Sequence, residues 1–204
     1  MAFDKYLEEK DAFIFELDNV LYPEKDYLLQ VYYLYAQFIE YGEQINAAEI
    51  LRYMETTFLE YGADGLYEKT SKQFSIPEKY RVNFELLLNN ARLPLKLLIF
   101  EEVLKILQSI VLERKQIFIF TDGNPLMQLN KIKQMEWHGL EQYLRVYFSA
   151  ETAEKPSANG LDLMVNSHDL DRKRVLMIGK SKVDEAFAKE GMVDYLNIDK
   201  LLLT

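Results

Sequence analysis

Two carboxylates stand two residues apart at the end of an apolar run in "FIFELDNVLYP", Phe13 to Pro23: Glu16 and Asp18. A short polar turn through Asn19 follows them. An acid at a strand end can face a phosphorus atom, and a second acid two residues on can pass a proton. Phosphoryl transfer also needs groups that hold the phosphoryl oxygens and offset their charge. Three later stretches offer them. "TDGNP" contains Thr121 and Asp122, "EKPS" contains Lys155, and "GKSKVDEAF" contains Lys180 and Asp184.

These residues need elements that bring them together. Five short runs with little polar alternation read as strands buried on both faces: 12–15, 116–121, 145–149, 174–179 and 193–198. Helix-like segments at 125–136, 158–168 and 182–190 lie between the later ones. Strand–helix alternation predicts an α/β core, a doubly wound parallel sheet with right-handed crossovers. The candidate residues then gather at the carboxyl ends of the strands.

One interval breaks the alternation. From Glu24 to Ser109 the sequence reads as helix after helix. Leu28, Val31, Tyr32, Tyr35 and Ile39 form a helical stripe, read as the interior of this segment. Asn46 with Glu49 three residues on resembles a capping box, and Pro77 suits a first helical turn. An all-helical insertion of about 85 residues would sit as a lid over the strand ends where α/β ligands bind.

The order of these pieces resembles the haloacid dehalogenase (HAD) superfamily. Its phosphatases carry an apolar strand with Asp-x-Asp, a strand ending in Thr or Ser, a lysine often followed by proline, and an acidic motif after a fourth strand. "DNVLYP", "FELLLNNARLPLKLLIFEEVLKIL", "HGLEQYL" and "EKPSANGLDLMV" further resemble the pyrimidine 5′-nucleotidase-like branch, with a helical C1-type cap. The resemblance implies a Rossmann-like sheet of order 5-4-1-2-3, a core over 1–21 and 110–204, and a cap over 22–109.

It also implies roles. The first acid attacks phosphorus, and Asp18 matches the acid/base two residues later. Thr121 matches the hydroxyl of the second motif, Lys155 the lysine of the third and Asp184 the second acid of the fourth. Glu16, Asp18 and Lys155 form the expected catalytic set. Thr121, Lys155 and the backbone amides near Asn19 and Asp122 form the expected phosphate-holding set. In the family a magnesium ion binds at positions equivalent to Glu16, Asp18, Lys180 and Asp184.

Two positions depart from the pattern. Glu16 stands where the nucleophilic aspartate belongs, and its extra methylene reaches up to about 1.5 Å further. A misplacement of about 1 Å can cost on the order of 100-fold in rate. Lys180 replaces a metal-ligating acid with an ammonium, which has no lone pair for a metal. Three carboxylates with two lysines carry the same net charge as the family's four carboxylates, one lysine and one Mg²⁺. The expectation is therefore a metal-free, degenerate site in which Lys180 bridges Glu16 and Asp184, catalytically weak or inactive, and able to bind a small phosphorylated molecule or anion. Two alternatives stand beside it: an active phosphohydrolase on nucleotides or small phosphate esters that uses Mg²⁺, and a structural or interaction protein with a salt-bridge cluster at the old site.

Composition bounds the partners. The 204 residues carry a net charge of −9, which disfavours nucleic acid polymers. Apolar runs are broken by charge before a spanning length of about 20 residues, so no membrane partner is expected. The chain has no cysteine, excluding disulfides and thiolate metal sites. "MAFDKYLEEKD" lacks a secretory pattern, and a cytoplasmic location is expected. His138 and His168 fall in no metal-ligand spacing, and "GKS" at 179–181 lacks the upstream glycine of a P-loop.

Overall fold

A computed structural model describes residues 3–202; residues 1–2 and 203–204, the outermost of the expected core, lie outside the described residues. The strands are β1 (Ala12–Phe15), β2 (Leu97–Leu98), β3 (Gln116–Thr121), β4 (Met135–Glu136), β5 (Leu144–Phe148), β6 (Val175–Gly179) and β7 (Asp194–Asn197). The helices are α1 (Asp4–Glu9), α2 (Lys25–Glu43), α3 (Ala47–Tyr61), α4 (Leu66–Phe74), α5 (Arg81–Asn90), α6 (Glu101–Leu112), α7 (Pro125–Gln134), α8 (Asn159–Ser167), α9 (Lys182–Glu190) and α10 (Asp199–Leu202).

Every side chain of β1 is buried. Phe13 and Phe15 enter one core, and Ala12 and Ile14 enter the other. Successive strand residues face opposite sides of a sheet, so a strand covered on both faces must be apolar throughout. β1 pairs in parallel with β3 and β6, β5 extends the sheet beyond β3, and β7 extends it beyond β6. The spatial order β5-β3-β1-β6-β7 is the expected 5-4-1-2-3 read from the other edge.

Register then places the site. Phe15 lies opposite Ile119 and Ile178, and the Glu16 amide donates to the Ile178 carbonyl at 3.0 Å. Glu16, Thr121 and the turn after Gly179 therefore emerge at one edge of the sheet, where ligands of such folds bind. Helices cover both faces. α6 buries Val103, Ile106, Leu107 and Ile110, spaced as one helical stripe, and packs along β3. α8 and α9 close the other face with Leu161, Met164, Phe187 and Ala188.

The interval after β1 is helical apart from one short strand. α2 buries Leu28, Val31, Tyr32, Tyr35 and Ile39 as its spacing predicts. The Asn46 side chain accepts from the Glu49 amide at 3.1 Å and starts α3. Pro77 opens a 3₁₀ turn, Glu78–Tyr80, closed by the Tyr80 amide on the Pro77 carbonyl, and α5 follows it. β2 pairs in parallel with β4, so the segment expected as helix to residue 136 ends as a strand. Among the described residues, no helix is long and apolar enough to cross a membrane.

Candidate active site

Glu16 follows β1 directly and is 8% exposed. Its Oε1 accepts from the Leu17 amide at 2.9 Å and from Thr121 Oγ1 at 2.6 Å. Its Oε2 accepts from Lys155 Nζ. Burial pushes the Glu16 carboxyl up to about 7, with the Asp184 charge adding to the effect and Lys155 and Thr121 opposing it. Thr121, the last residue of β3, donates to Glu16 and accepts from Gln128 Nε2 at 2.8 Å. Its hydroxyl is therefore engaged within the protein rather than held open for a phosphoryl oxygen.

Lys155 arrives from the loop before α8, and its side chain has no exposed surface. Besides Glu16, its ammonium lies 2.9 Å from Asp184 Oδ1 and 3.5 Å from Asp122 Oδ2. Burial works against the charged form, but the charges of Glu16, Asp184 and Asp122 outweigh it and hold the proton more tightly than water does. Phe120 and Phe187 place their rings 5.8 and 5.5 Å from the same nitrogen.

Asp184 sits at the third position of α9. Its Oδ2 accepts from the Lys180 and Ser181 amides at 3.1 and 2.9 Å and from Ser181 Oγ at 2.8 Å. The Asp184 amide donates back to Ser181 Oγ, which completes a capping box. Burial opposes ionisation, yet Lys155 and the Ser181 donors hold the carboxyl below its ordinary range. A Cβ at Gly179 would lie 2.5 Å from Asp184 Cβ, so only glycine lets the strand end approach this carboxylate.

The structure corrects the expected role of Lys180. Its side chain is 46% exposed, and its ammonium lies 3.3 Å from Asp199 Oδ1 at the start of α10. Lys155, not Lys180, bridges Glu16 and Asp184. The third acid of the bridge is the Asp122 carboxylate, expected only as a backbone donor. Asn19 takes a left-handed backbone, φ 60°, and its amide donates to the Tyr22 carbonyl at 2.9 Å. That amide is therefore spent in its own turn, and the Asn19 side chain bonds Glu24 instead.

Asp18 is brought beside the cluster but is held by other residues. Oδ1 accepts from Tyr22 Oη at 2.7 Å; Oδ2 accepts from Gln128 Nε2 at 2.8 Å and Lys131 Nζ at 2.7 Å. Sequence reasoning missed Gln128 and Lys131. Their signal was polar residues three apart on α7, at the helix positions that turn out to be its buried ones. His168 is remote from this group, its Nε2 2.8 Å from Tyr147 Oη.

A cleft of about 270 Å³ opens over the group, lined by Glu16, Asp18, Asn19, Asp122, Lys180, Ser181 and Asp184. One oxygen each from Glu16, Asp122 and Asp184 lie within 4.8 Å of one another. Carboxylate oxygens are the donors a hard divalent cation prefers, so the set fits magnesium by donor type. The same three acids also surround the Lys155 ammonium, so ion and amine would share their lone pairs.

Comparison with known proteins adds the family. No curated protein sequence matches the chain. Solved structures do. A proposed HAD-hydrolase, YfnB from Bacillus subtilis, in a magnesium-bound form, is 12% identical, with 92% of this chain and 86% of that one covered and a TM-score of 0.59. A HAD-superfamily hydrolase of subfamily IA from Geobacter sulfurreducens is 16% identical over 92% of this chain and 86% of that one, TM-score 0.56. A proposed phosphoglycolate phosphatase from Lactobacillus plantarum is 14% identical over 93% and 86%, TM-score 0.55. At such identities the likeness concerns the fold. The sequence profile of haloacid dehalogenase-like hydrolases matches residues 13–198, nearly the whole chain, and the chain belongs to that family.

Proposed function

We propose that this protein carries a degenerate phosphatase site, catalytically weak or inactive, in which Glu16 stands for the nucleophilic aspartate and Lys180 for a metal-ligating acid. The observation that carries this reading is the Lys180 ammonium, turned away to Asp199 from the position where the family keeps a metal ligand, beside a Glu16 carboxylate held within the protein. Of the two Glu16 oxygens, one is held by Leu17 and Thr121 and the other by Lys155. In-line attack needs a free lone pair aimed at phosphorus; Oε1 carries two donors, and the lone pair left on Oε2 lies beside the Lys155 ammonium, which weakens it as a nucleophile. Asp18, held by three donors, is poorly placed to pass a proton.

Ligand binding in this reading is selective. A phosphate entering the cleft meets four carboxylates, and the one lysine lining it already faces Asp199. A small phosphorylated molecule, a nucleotide of the pyrimidine 5′-nucleotidase-like branch among them, would have to draw Thr121 and Lys155 away from Glu16. In this reading α2 to α5 form the cap, entered from the turn beside the cleft, whereas α6, expected within the cap, packs along β3 with the core; a cytoplasmic setting suits the cysteine-free, acidic chain.

A second reading is favoured by the closeness of the three acids. Glu16, Asp122 and Asp184 would hold magnesium, and the bound ion would offset carboxylate charge and polarise a phosphoryl oxygen. The chain would then be an active phosphohydrolase on nucleotides or small phosphate esters. Hydrolysis of p-nitrophenyl phosphate and nucleoside monophosphates, with and without Mg²⁺, separates the two. The native chain is expected to fall at least about 100-fold below a Glu16→Asp/Lys180→Asp variant. Magnesium-dependent turnover by the native chain, equal to that of the double variant, would overturn the first reading.

A further inference from the structure

The groups that hold Asp18 reach beyond the cleft. Lys131, on α7, has a side chain with no exposed surface. Its ammonium lies 2.7 Å from Asp18 Oδ2, 3.7 Å from Glu24 Oε1 and 5.4 Å from the centre of the Tyr27 ring. Asp18 belongs to the turn after β1. Glu24 is the residue directly before α2, the first helix of the insertion, and Tyr27 lies in its first turn. One buried charge therefore joins the central strand, the helix after β3 and the entry of the cap.

Desolvating an ammonium is costly, and a methionine or leucine would fill the same volume without that cost. The position keeps its lysine amid a line of polar contacts between α7 and the cap. Asn130 Nδ2 donates to Tyr27 Oη at 3.0 Å and to the Ala91 carbonyl at 2.9 Å. Tyr27 Oη donates onward to the Leu88 carbonyl of α5 at 2.7 Å. The Leu93 amide donates to Gln134 Oε1 at 2.7 Å, and the β2–β4 ladder continues the line. Burial and the neighbouring Asp18 raise the Glu24 carboxyl, and Lys131 opposes that rise.

We propose that Lys131 is the positioning residue of Asp18 and the tie that seats the start of the cap on the core. Asp18 then serves as an anchor: a carboxylate pinned by Tyr22, Gln128 and Lys131 so that the turn from β1 enters α2 at one fixed angle. This goes beyond the phosphatase reading and stands whether or not the cleft turns over a phosphate ester.

Hydrogen exchange on the full chain, read by mass spectrometry, tests it. In Lys131→Met, amides of residues 22–31 should exchange about tenfold faster or more, while β1 and β6 keep native protection. Lys131→Arg keeps the charge and should restore at least about half of the lost protection, on a logarithmic scale. A uniform rise over every segment, or native protection at 22–31, would overturn the proposal, as would failure of the arginine variant to restore any. If Lys131→Met does not fold, Glu24→Gln removes only the cap-side partner. It should speed exchange of the same segment by about twofold or more, and unchanged exchange there would count against the tie.

Discussion

Replacing Lys155 with methionine asks how much the buried ammonium stabilises the protein. Methionine fills a similar volume, so packing beside Phe120 and Phe187 is retained. What is lost is the charge facing three carboxylates. Asp184 keeps three donors on Oδ2, but its Oδ1 loses the 2.9 Å contact. Glu16 keeps Leu17 and Thr121 on Oε1, and its Oε2 is left without a donor. Removing one partner of a buried ion pair costs about 3–5 kcal/mol. For a chain of this size that lowers the melting temperature by about 6–20 °C. The cost should also depend on pH. A protonated Glu16 needs no counter-charge, so the loss should be smaller at pH 5.5 than at pH 8. Urea unfolding of both proteins at the two pH values measures it, with Glu16→Gln/Lys155→Met as the control that restores part of the loss. A difference below about 1 kcal/mol at pH 8, or one that does not change with pH, would refute the assignment of Lys155 as the internal counter-charge.

Other outcomes follow from the same geometry. The Glu16 carboxyl is raised to about 7 by burial, so the folded chain binds its proton more tightly than the unfolded chain does. Its contribution is fully present below the ordinary carboxylate range and is lost as pH rises through about 7, on the order of 3 kcal/mol in all; unfolding free energies from pH 5 to 8 should slope down in the native chain and flatten in Glu16→Gln. Gly179→Ala forces a Cβ to within 2.5 Å of Asp184 Cβ and should lower stability by about 1–3 kcal/mol in the same assay.

The sheet was legible because its strands are buried on both faces. Ala12–Phe15 and Gln116–Thr121 were bounded correctly from apolar runs alone, and parallel register then brought Glu16 and Thr121 to one edge. Lys155 and Asp184 followed from motif order. Side-chain direction was not legible in the same way. Lys180 does line the cleft, but its ammonium turns to Asp199 on α10, a four-residue helix too short to leave a periodic signal. Asp122 was read for its amide, and only the fold shows its carboxylate reaching Lys155. Lys131 and Gln128 sit where an amphipathic pattern calls for apolar residues, and such positions reveal their partners only after the turn from β1 is seen beside α7.

Asp184 draws together two structures that are usually separable. One of its oxygens closes the first turn of α9, and the other meets the lysine from a distant loop. A change at this single carboxylate would fray a helix and unbalance the cleft in one event. The chain therefore has little freedom to retune the cleft by altering this acid alone.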